Sequence, residues 1–281
     1  MATQPEVWEG LAVVICSHLD KKYGSQRIEY IRDLIPNILE GDLLPEKIVI
    51  SYTQVKEGYD CWKHDLRYIF SRDHIQDPRL EIICRGSVPI SQMNQLLVTT
   101  YELPDSINCV LLVDDDDLIS PQLLSTYKKI WDGSEPEHFV FECGMTRGGG
   151  YEDRNIRFFS QIKNMELMKD LFSKKVNTNY GGTLFSKSVL KYYFRYCISR
   201  GCNFAHMSAD VSFKMCVANA NHLVSENQDP LFVTNCESLK IFKAVVEKPL
   251  YFYRKWRYIP YIKSYEDIQK IIDDIKKYGC Y

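Results

Sequence analysis

Four carboxylates stand in a row at Asp114-Asp115-Asp116-Asp117, directly behind the apolar run Cys109-Val110-Leu111-Leu112-Val113. The apolar run is short and aliphatic, with no polar alternation, and reads as a fully buried strand. Four adjacent acids are too costly to bury without partners, so they must sit where that strand leaves the core. In an open α/β sheet the carboxyl end of a central strand is where ligands bind. Carboxylate oxygens there suit a hard divalent cation, Mg²⁺ or Mn²⁺, and such a cation suits a phosphate. A solvated acidic turn capping the next helix would share this sequence. The buried-type strand in front favours the ligand reading, as does Pro121 behind, which reads as the start of a new helix.

Such a turn needs a sheet to hold it, and the chain before it supplies one. Strands are expected at Leu11 to Cys16, Lys47 to Tyr52 and Leu80 to Cys84. Their exits would be Ser17-His18-Leu19-Asp20, Tyr52-Thr53-Gln54 and Arg85-Gly86-Ser87. Between them, three helices are marked by Ile28, Ile31, Ile35 and Ile38, by Trp62, Leu66, Ile69 and Phe70, and by Met93, Leu96, Leu97 and Thr100. Pro36 predicts a kink in the first and Gly41 its stop. Four strand–helix units in sequence predict a parallel sheet with right-handed crossovers.

The second half is less regular. Gln122 to Trp131 reads as a helix and His138 to Cys143 as a strand. Gly148-Gly149-Gly150 reads as a mobile loop, without the lysine of a phosphate loop. Gly181 to Phe185 resumes a strand, and Ser188 to Ile198 is helical with Leu190, Phe194, Cys197 and Ile198 on one face. Asp210 opens another helix, with Phe213, Cys216, Val217 and Ala220 inward. Tyr251 to Tyr258 is basic and aromatic, and Tyr265 to Lys277 is amphipathic.

With 281 residues, 45% hydrophobic, the chain can bury a sizeable core. A net charge of -2 argues against a general nucleic-acid binder. No apolar run approaches the ~18–20 residues that cross a bilayer. Met1 to Gly10 lacks the regions of a secretory leader, and there is no N-x-[ST] acceptor site. Ten cysteines without a C-x-x-C pair then read as reduced thiols, and the expected location is cytoplasmic. Dinucleotide, Walker and G-x-S-x-G signatures are absent, and the six histidines form no H-x-x-x-H zinc pair.

Four pieces occur in a telling order: Val13-Val14-Ile15-Cys16, then Leu111 through the acids to Pro121, then Gly181-Gly182-Thr183-Leu184-Phe185, then Ala209-Asp210-Val211-Ser212-Phe213. Together, over roughly Leu11 to Ala220, they resemble the GT-A-fold glycosyltransferases, in particular the family 2-like group of inverting enzymes. The resemblance implies a D-x-D metal motif at Asp114 and Asp116, with Asp117 and Pro121 on the family's extra acid and proline. It implies an acceptor-side strand at Gly181-Gly182 and a catalytic base at Asp210. The family's Glu before that base is Ala209 here, and no histidine follows His222 to serve as a further metal ligand. Ser17 and His18 resemble the loop that contacts the nucleotide base. Tyr52, Arg85 and Asp115 are expected to join them in holding the nucleotide.

The expected fold is therefore a GT-A-like, Rossmann-like α/β domain over residues 1-250, with a central mostly parallel mixed sheet flanked by helices. Its nucleotide-sugar half would be about 1-120 and its acceptor half about 121-250, followed by a C-terminal basic-aromatic segment and amphipathic helix over 251-281. The expected function is Mn²⁺- or Mg²⁺-dependent, inverting transfer from a nucleotide sugar, a UDP-sugar first, to a carbohydrate acceptor. Peripheral membrane contact through Arg254 to Arg257 fits this picture, and a nucleic-acid partner does not. A nucleotidyltransferase shares the sheet architecture, but Ser17-His18-Leu19-Asp20 lacks its glycine-rich loop, leaving only Lys21 and Lys22 for it. A binding module that has lost turnover is favoured by Ala209.

Overall fold

The computed structural model describes residues 6–20, 23–54, 65–72, 76–88, 90–132, 139–147, 150–151, 181–199, 204 and 242–253. In chain order the elements are β1 (Glu6–Leu19), α1 (Gly24–Leu39), β2 (Leu43–Gln54), α2 (Leu66–Arg72), β3 (Leu80–Cys84), α3 (Gln92–Glu102) and β4 (Cys109–Asp114). Then come β5 (Leu118–Ile119), α4 (Leu123–Asp132), β6 (Phe139–Arg147), β7 (Gly150–Tyr151), β8 (Leu184–Ser186), α5 (Lys187–Ser199) and β9 (Phe242–Tyr253).

Among the described residues the strands form one mixed sheet in the order β3-β2-β1-β4-β8-β6-β9-β5, with β7 paired to β6. The first four are parallel, as the strand–helix rhythm requires. β8 joins β4 antiparallel, so β4 lies inside the sheet, with β1 on its other side. The chain order turns from descending to ascending between β1 and β4, the place where an open α/β sheet leaves a crevice.

Strand alternation divides the core. One face carries Leu11, Val13 and Ile15 of β1, Ile48, Ile50 and Tyr52 of β2, and Cys109, Leu111 and Val113 of β4. Onto it pack Ile28, Ile31, Ile35 and Ile38 of α1 and Leu123, Leu124 and Tyr127 of α4. Each such buried aliphatic side chain contributes about 1.5–3 kcal/mol. On the opposite face, α3 crosses β1 and β2 and packs beside α5.

Several sequence expectations need correction. β1 and β2 run past their expected ends, so Ser17, His18, Thr53 and Gln54 are strand residues paired across the two strands. Pro121 precedes α4 in a turn, and its carbonyl accepts from the Asp42 N–H. Ile198 is exposed, not on the buried face of α5. Gly150 pairs with Arg147 in the β6–β7 ladder instead of lying in a loop. Trp62, the helix at Asp210, Arg254 to Arg257 and the segment 265–277 lie outside the described residues. Cys16, Cys84 and Cys109 are free thiols in strands. No helix among the described residues is long and apolar enough to cross a membrane.

Candidate active site

The acidic run turns at the end of β4. Asp114 is the last strand residue, opposite Cys16 of β1. The Asp117 N–H donates to the Asp114 carbonyl at 3.2 Å, closing a turn that leads into β5. Asn37 of α1 clamps the far side: its Oδ1 accepts from the Ile119 N–H at 2.9 Å and its Nδ2 donates to the Ile119 carbonyl at 3.0 Å. Anchored at both ends, the turn folds inward. Asp115 is 1% exposed, Asp116 8% and Asp117 0%, while Asp114 is only half-buried.

Asp115 is matched by a cation. Arg27, in the first turns of α1, places Nη1 2.8 Å from Oδ1 and 2.6 Å from Oδ2. Ser17 Oγ also donates to Oδ2. Asp115 was expected to contact a nucleotide, but the structure spends both of its oxygens inside the protein. Asp116 is buried beside like charges. Burial, then the charges of Asp115, Asp117 and Asp114, push its pKa well above the carboxylate range, and Arg27 offsets only part of this.

Behind the turn lies a polar network on buried residues. Gln95 of α3 donates to the Ser17 carbonyl at 2.9 Å and the Ile90 carbonyl at 3.0 Å, and accepts from Ser51 Oγ at 3.0 Å. Ser51 Oγ in turn accepts from Arg85 Nε at 3.1 Å. Ser17 thus stands between Gln95 and Asp115, and its hydroxyl is committed to the protein. His18 Nδ1 and Thr53 Oγ1 are hydrogen-bonded at 2.6 Å at the β1–β2 exit. Burial pushes the His18 imidazole below its ordinary pKa; Asp20 opposes this and Arg27 adds to it.

Tyr52 and Arg85, also expected at the nucleotide, make hydrogen bonds within the protein. Tyr52 is fully buried, because it shares the core parity of Ile48 and Ile50, and its hydroxyl donates to Asp65 Oδ1 at 3.3 Å. Arg85 is engaged by Ser51, by Thr99 at 3.1 Å and by Glu102 at 2.8 Å.

On the other flank, Gly181 and Gly182 form a turn beside β4. The Gly182 N–H donates to the Leu112 carbonyl at 2.7 Å, and the Gly182 carbonyl accepts from Tyr127 Oη at 2.6 Å. With φ at 81°, Gly182 occupies the left-handed region that side chains avoid. The strand itself begins at Leu184, later than the sequence suggests. Asp210, the expected base, lies outside the described residues.

The fold has solved counterparts. S. aureus TarS 1-349 in complex with UDP-GlcNAc superimposes with a TM-score of 0.57 over 94% of this chain at 14% identity. The same protein in complex with UDP gives 0.55 over 94%, also at 14% identity. The fold is GT-A-like. At this identity the likeness is one of fold. The chain spans 65% and 64% of those two TarS chains and 38% of a longer TarS structure. No family model and no curated protein matches the sequence.

On this GT-A-like scaffold, the acidic turn suits a divalent cation by its chemistry. It offers hard oxygen donors, and Asp116 is destabilised as an anion by burial and then by three neighbouring acids. A cation would relieve that repulsion. Among the described residues no group of three or more His, Cys, Asp or Glu side chains converges as a ligand set. Mg²⁺ is commonly held by only one or two carboxylates, with substrate phosphates and water completing its shell.

Arg27, Asn37 and Gln95 were not singled out from the sequence. Arg27 lies in a helix otherwise read by its isoleucines, 88 positions from its partner. Gln95 sits among the apolar positions of α3, and a polar residue at 1% exposure was the available signal only once the helix phase was fixed.

Proposed function

We propose that the protein is a metal-dependent, inverting glycosyltransferase that moves a sugar from a UDP-sugar to a hydroxyl of a carbohydrate acceptor. The observation that carries this is the charge-excess turn at the end of interior strand β4, on a fold shared with a protein crystallised with UDP-GlcNAc and UDP. The part before about residue 120 would hold the nucleotide sugar and 121–250 the acceptor, with 251–281 an appendage.

Asp114 and Asp116 would hold Mn²⁺ or Mg²⁺. Bound there, the ion acts as a Lewis acid that neutralises charge on the departing diphosphate. His18 and Thr53, at the exits of β1 and β2, would border the nucleotide base. Asp210 accepts the proton of the acceptor hydroxyl as that oxygen bonds to the anomeric carbon and the bond to the diphosphate breaks. Attack opposite the leaving group inverts the anomeric centre. A helix N-terminus at Asp210 would keep its carboxylate ionised and ready to accept the proton.

Thermal-shift titration with nucleoside diphosphates and UDP-sugars, with and without Mn²⁺, tests donor binding, since a ligand of the native state raises Tm by mass action. The expected outcome is Mn²⁺-dependent stabilisation by UDP and by one UDP-sugar. No stabilisation by any of them overturns the proposal. Asp210→Asn should bind donor normally yet transfer at least about 100-fold more slowly, the usual worth of a general base. A product that retains the donor configuration rejects the inverting mechanism. Ala209 favours a binding-only module as a second reading; metal-dependent hydrolysis of the UDP-sugar by wild type would exclude it.

A further inference from the structure

His18 and Thr53 share a hydrogen bond whose direction the surroundings decide. The strands β1 and β2 stay paired through His18 with Thr53 and Leu19 with Gln54, whereas β4 ends opposite Cys16. His18 therefore stands past the end of β4, at the crevice where the strand order reverses. Its Nδ1 lies 2.6 Å from Thr53 Oγ1. Thr53 is 0% exposed, while His18 is part-exposed.

A threonine hydroxyl has one proton to give, and inside a protein that proton needs an acceptor. Among the described residues, His18 Nδ1 is the one partner of this hydroxyl. The Thr53 O–H therefore donates to Nδ1, because the reverse bond, from an Nδ1–H, would strand the buried hydroxyl proton. The imidazole then carries its own proton on Nε2. Nε2 makes no hydrogen bond to a described residue and is not buried. Burial pushes the His18 pKa down, which keeps the ring neutral. The β1 exit thus presents an uncharged N–H donor held at a fixed place.

A neutral donor of this kind suits an uncharged carbonyl oxygen, whereas a phosphate oxygen would favour an imidazolium. Uracil carries a keto oxygen where cytosine carries an amino group, itself a donor. We infer that Thr53 is a positioning residue that fixes the His18 tautomer, and that the Nε2–H so fixed determines specificity by accepting uracil and rejecting cytosine. The inference rests on the proposal that the chain binds a nucleotide sugar with its base at these two strand exits.

Titration calorimetry of the full chain with UDP and with CDP, both with Mn²⁺, tests it. Wild type should bind UDP at least about tenfold more tightly than CDP, because a donor facing a donor leaves both unpaired. Thr53→Val keeps the shape of the buried side chain and removes the hydroxyl. Neither tautomer is then favoured, and the preference for UDP should shrink to about threefold or less. Thr53→Ser keeps the hydroxyl and should keep the wild-type ratio. A purely structural role would weaken both nucleotides by the same factor, so an unchanged ratio in Thr53→Val overturns the inference. A wild type that binds UDP and CDP alike also overturns it and leaves the donor proposal standing. A wild type that binds neither removes that proposal and the inference with it.

Should Thr53→Val not fold, His18→Ala decides the matter, since it truncates a part-exposed side chain. It should bind UDP and CDP within about threefold of each other, the loss falling on UDP. A preference kept in full would mean that the imidazole does not read the base.

Discussion

Two strand exits on the same sheet edge each carry an arginine in contact with acid, and they differ in balance. At the β3 exit, Arg85 faces Glu102 with a bidentate pair and spends its remaining donors on Ser51 and Thr99. The hydrogen bond from Arg85 holds Glu102 below the usual carboxylate range. At the β4 exit, where four acids follow one another, Arg27 pairs with Asp115. Burial, and after it the neighbouring acids, pushes Asp116 up. A matched pair is finished inside the protein and can only contribute stability. A carboxylate buried beside like charges, as Asp116 is, carries a cost in folding free energy that a bound cation would offset. On the proposed function, the β4 exit is the working end and the β3 exit its support.

Replacing Asp116 tests the β4 exit most severely. Asp116→Asn keeps the shape and removes the charge. Its Mn²⁺-dependent affinity for UDP should fall at least about 100-fold, since disturbing even groups behind a metal's ligands costs 10–100-fold. Its metal-free stability should move the other way. The folded-state pKa of Asp116 lies above its unfolded value, so between those values the folded chain binds more protons than the unfolded one. Stability therefore falls as pH rises through that window, and the full deficit is present above it. The variant should melt higher than wild type at neutral pH and converge with it in acid. A lower Tm at neutral pH would mean that the turn is already balanced.

Breaking the matched side should have a smaller and purely structural effect. Arg85→Met removes the bonds to Ser51, Thr99 and Glu102. Glu102 is half exposed and regains water, so the expected loss is about 1–2 kcal/mol in denaturant unfolding. With its pKa lowered, Glu102 contributes stability above its unfolded value, and this fades as pH falls through the folded one. Arg85→Met should lack that acid-side slope. Mn²⁺-dependent UDP affinity should stay within about threefold of wild type, well short of a lost charged contact. A tenfold drop in that affinity would return Arg85 to the nucleotide.

The β3 and β4 exits were not equally legible in the sequence. β3 could be read to its ends because Leu80 to Cys84 is bounded by Pro78 and Gly86. The acids after Val113 declared a site because no isolated strand can bury them. Which acid was matched could not be read, since Arg27 reaches Asp115 only after the helix–sheet crossover closes. The ends of β1 and β2 were cut short for a related reason. Ser17, His18, Thr53 and Gln54 look like loop residues until cross-strand and helix partners satisfy them. Pro45 likewise hid the start of β2, where it sits opposite Trp8 at a register shift, as strand prolines do.

Tyr52 offers the finest test, because parity alone moved it from site to core. As the last of Ile48, Ile50 and Tyr52, it points at the α1 and α2 side, where its ring is wholly enclosed. Its hydroxyl makes a long bond of 3.3 Å to Asp65, which is already held by Arg67. Tyr52→Phe keeps the ring and its packing. The lost bond should therefore cost no more than about 1 kcal/mol, the low end for a hydrogen bond of ordinary geometry. UDP affinity with Mn²⁺ should not change, since no atom near the acidic turn moves. If that affinity falls more than about threefold, or about 0.7 kcal/mol, while Tm holds, the hydroxyl reaches the nucleotide, and the division between supporting and working strand exits would have to be redrawn at β2.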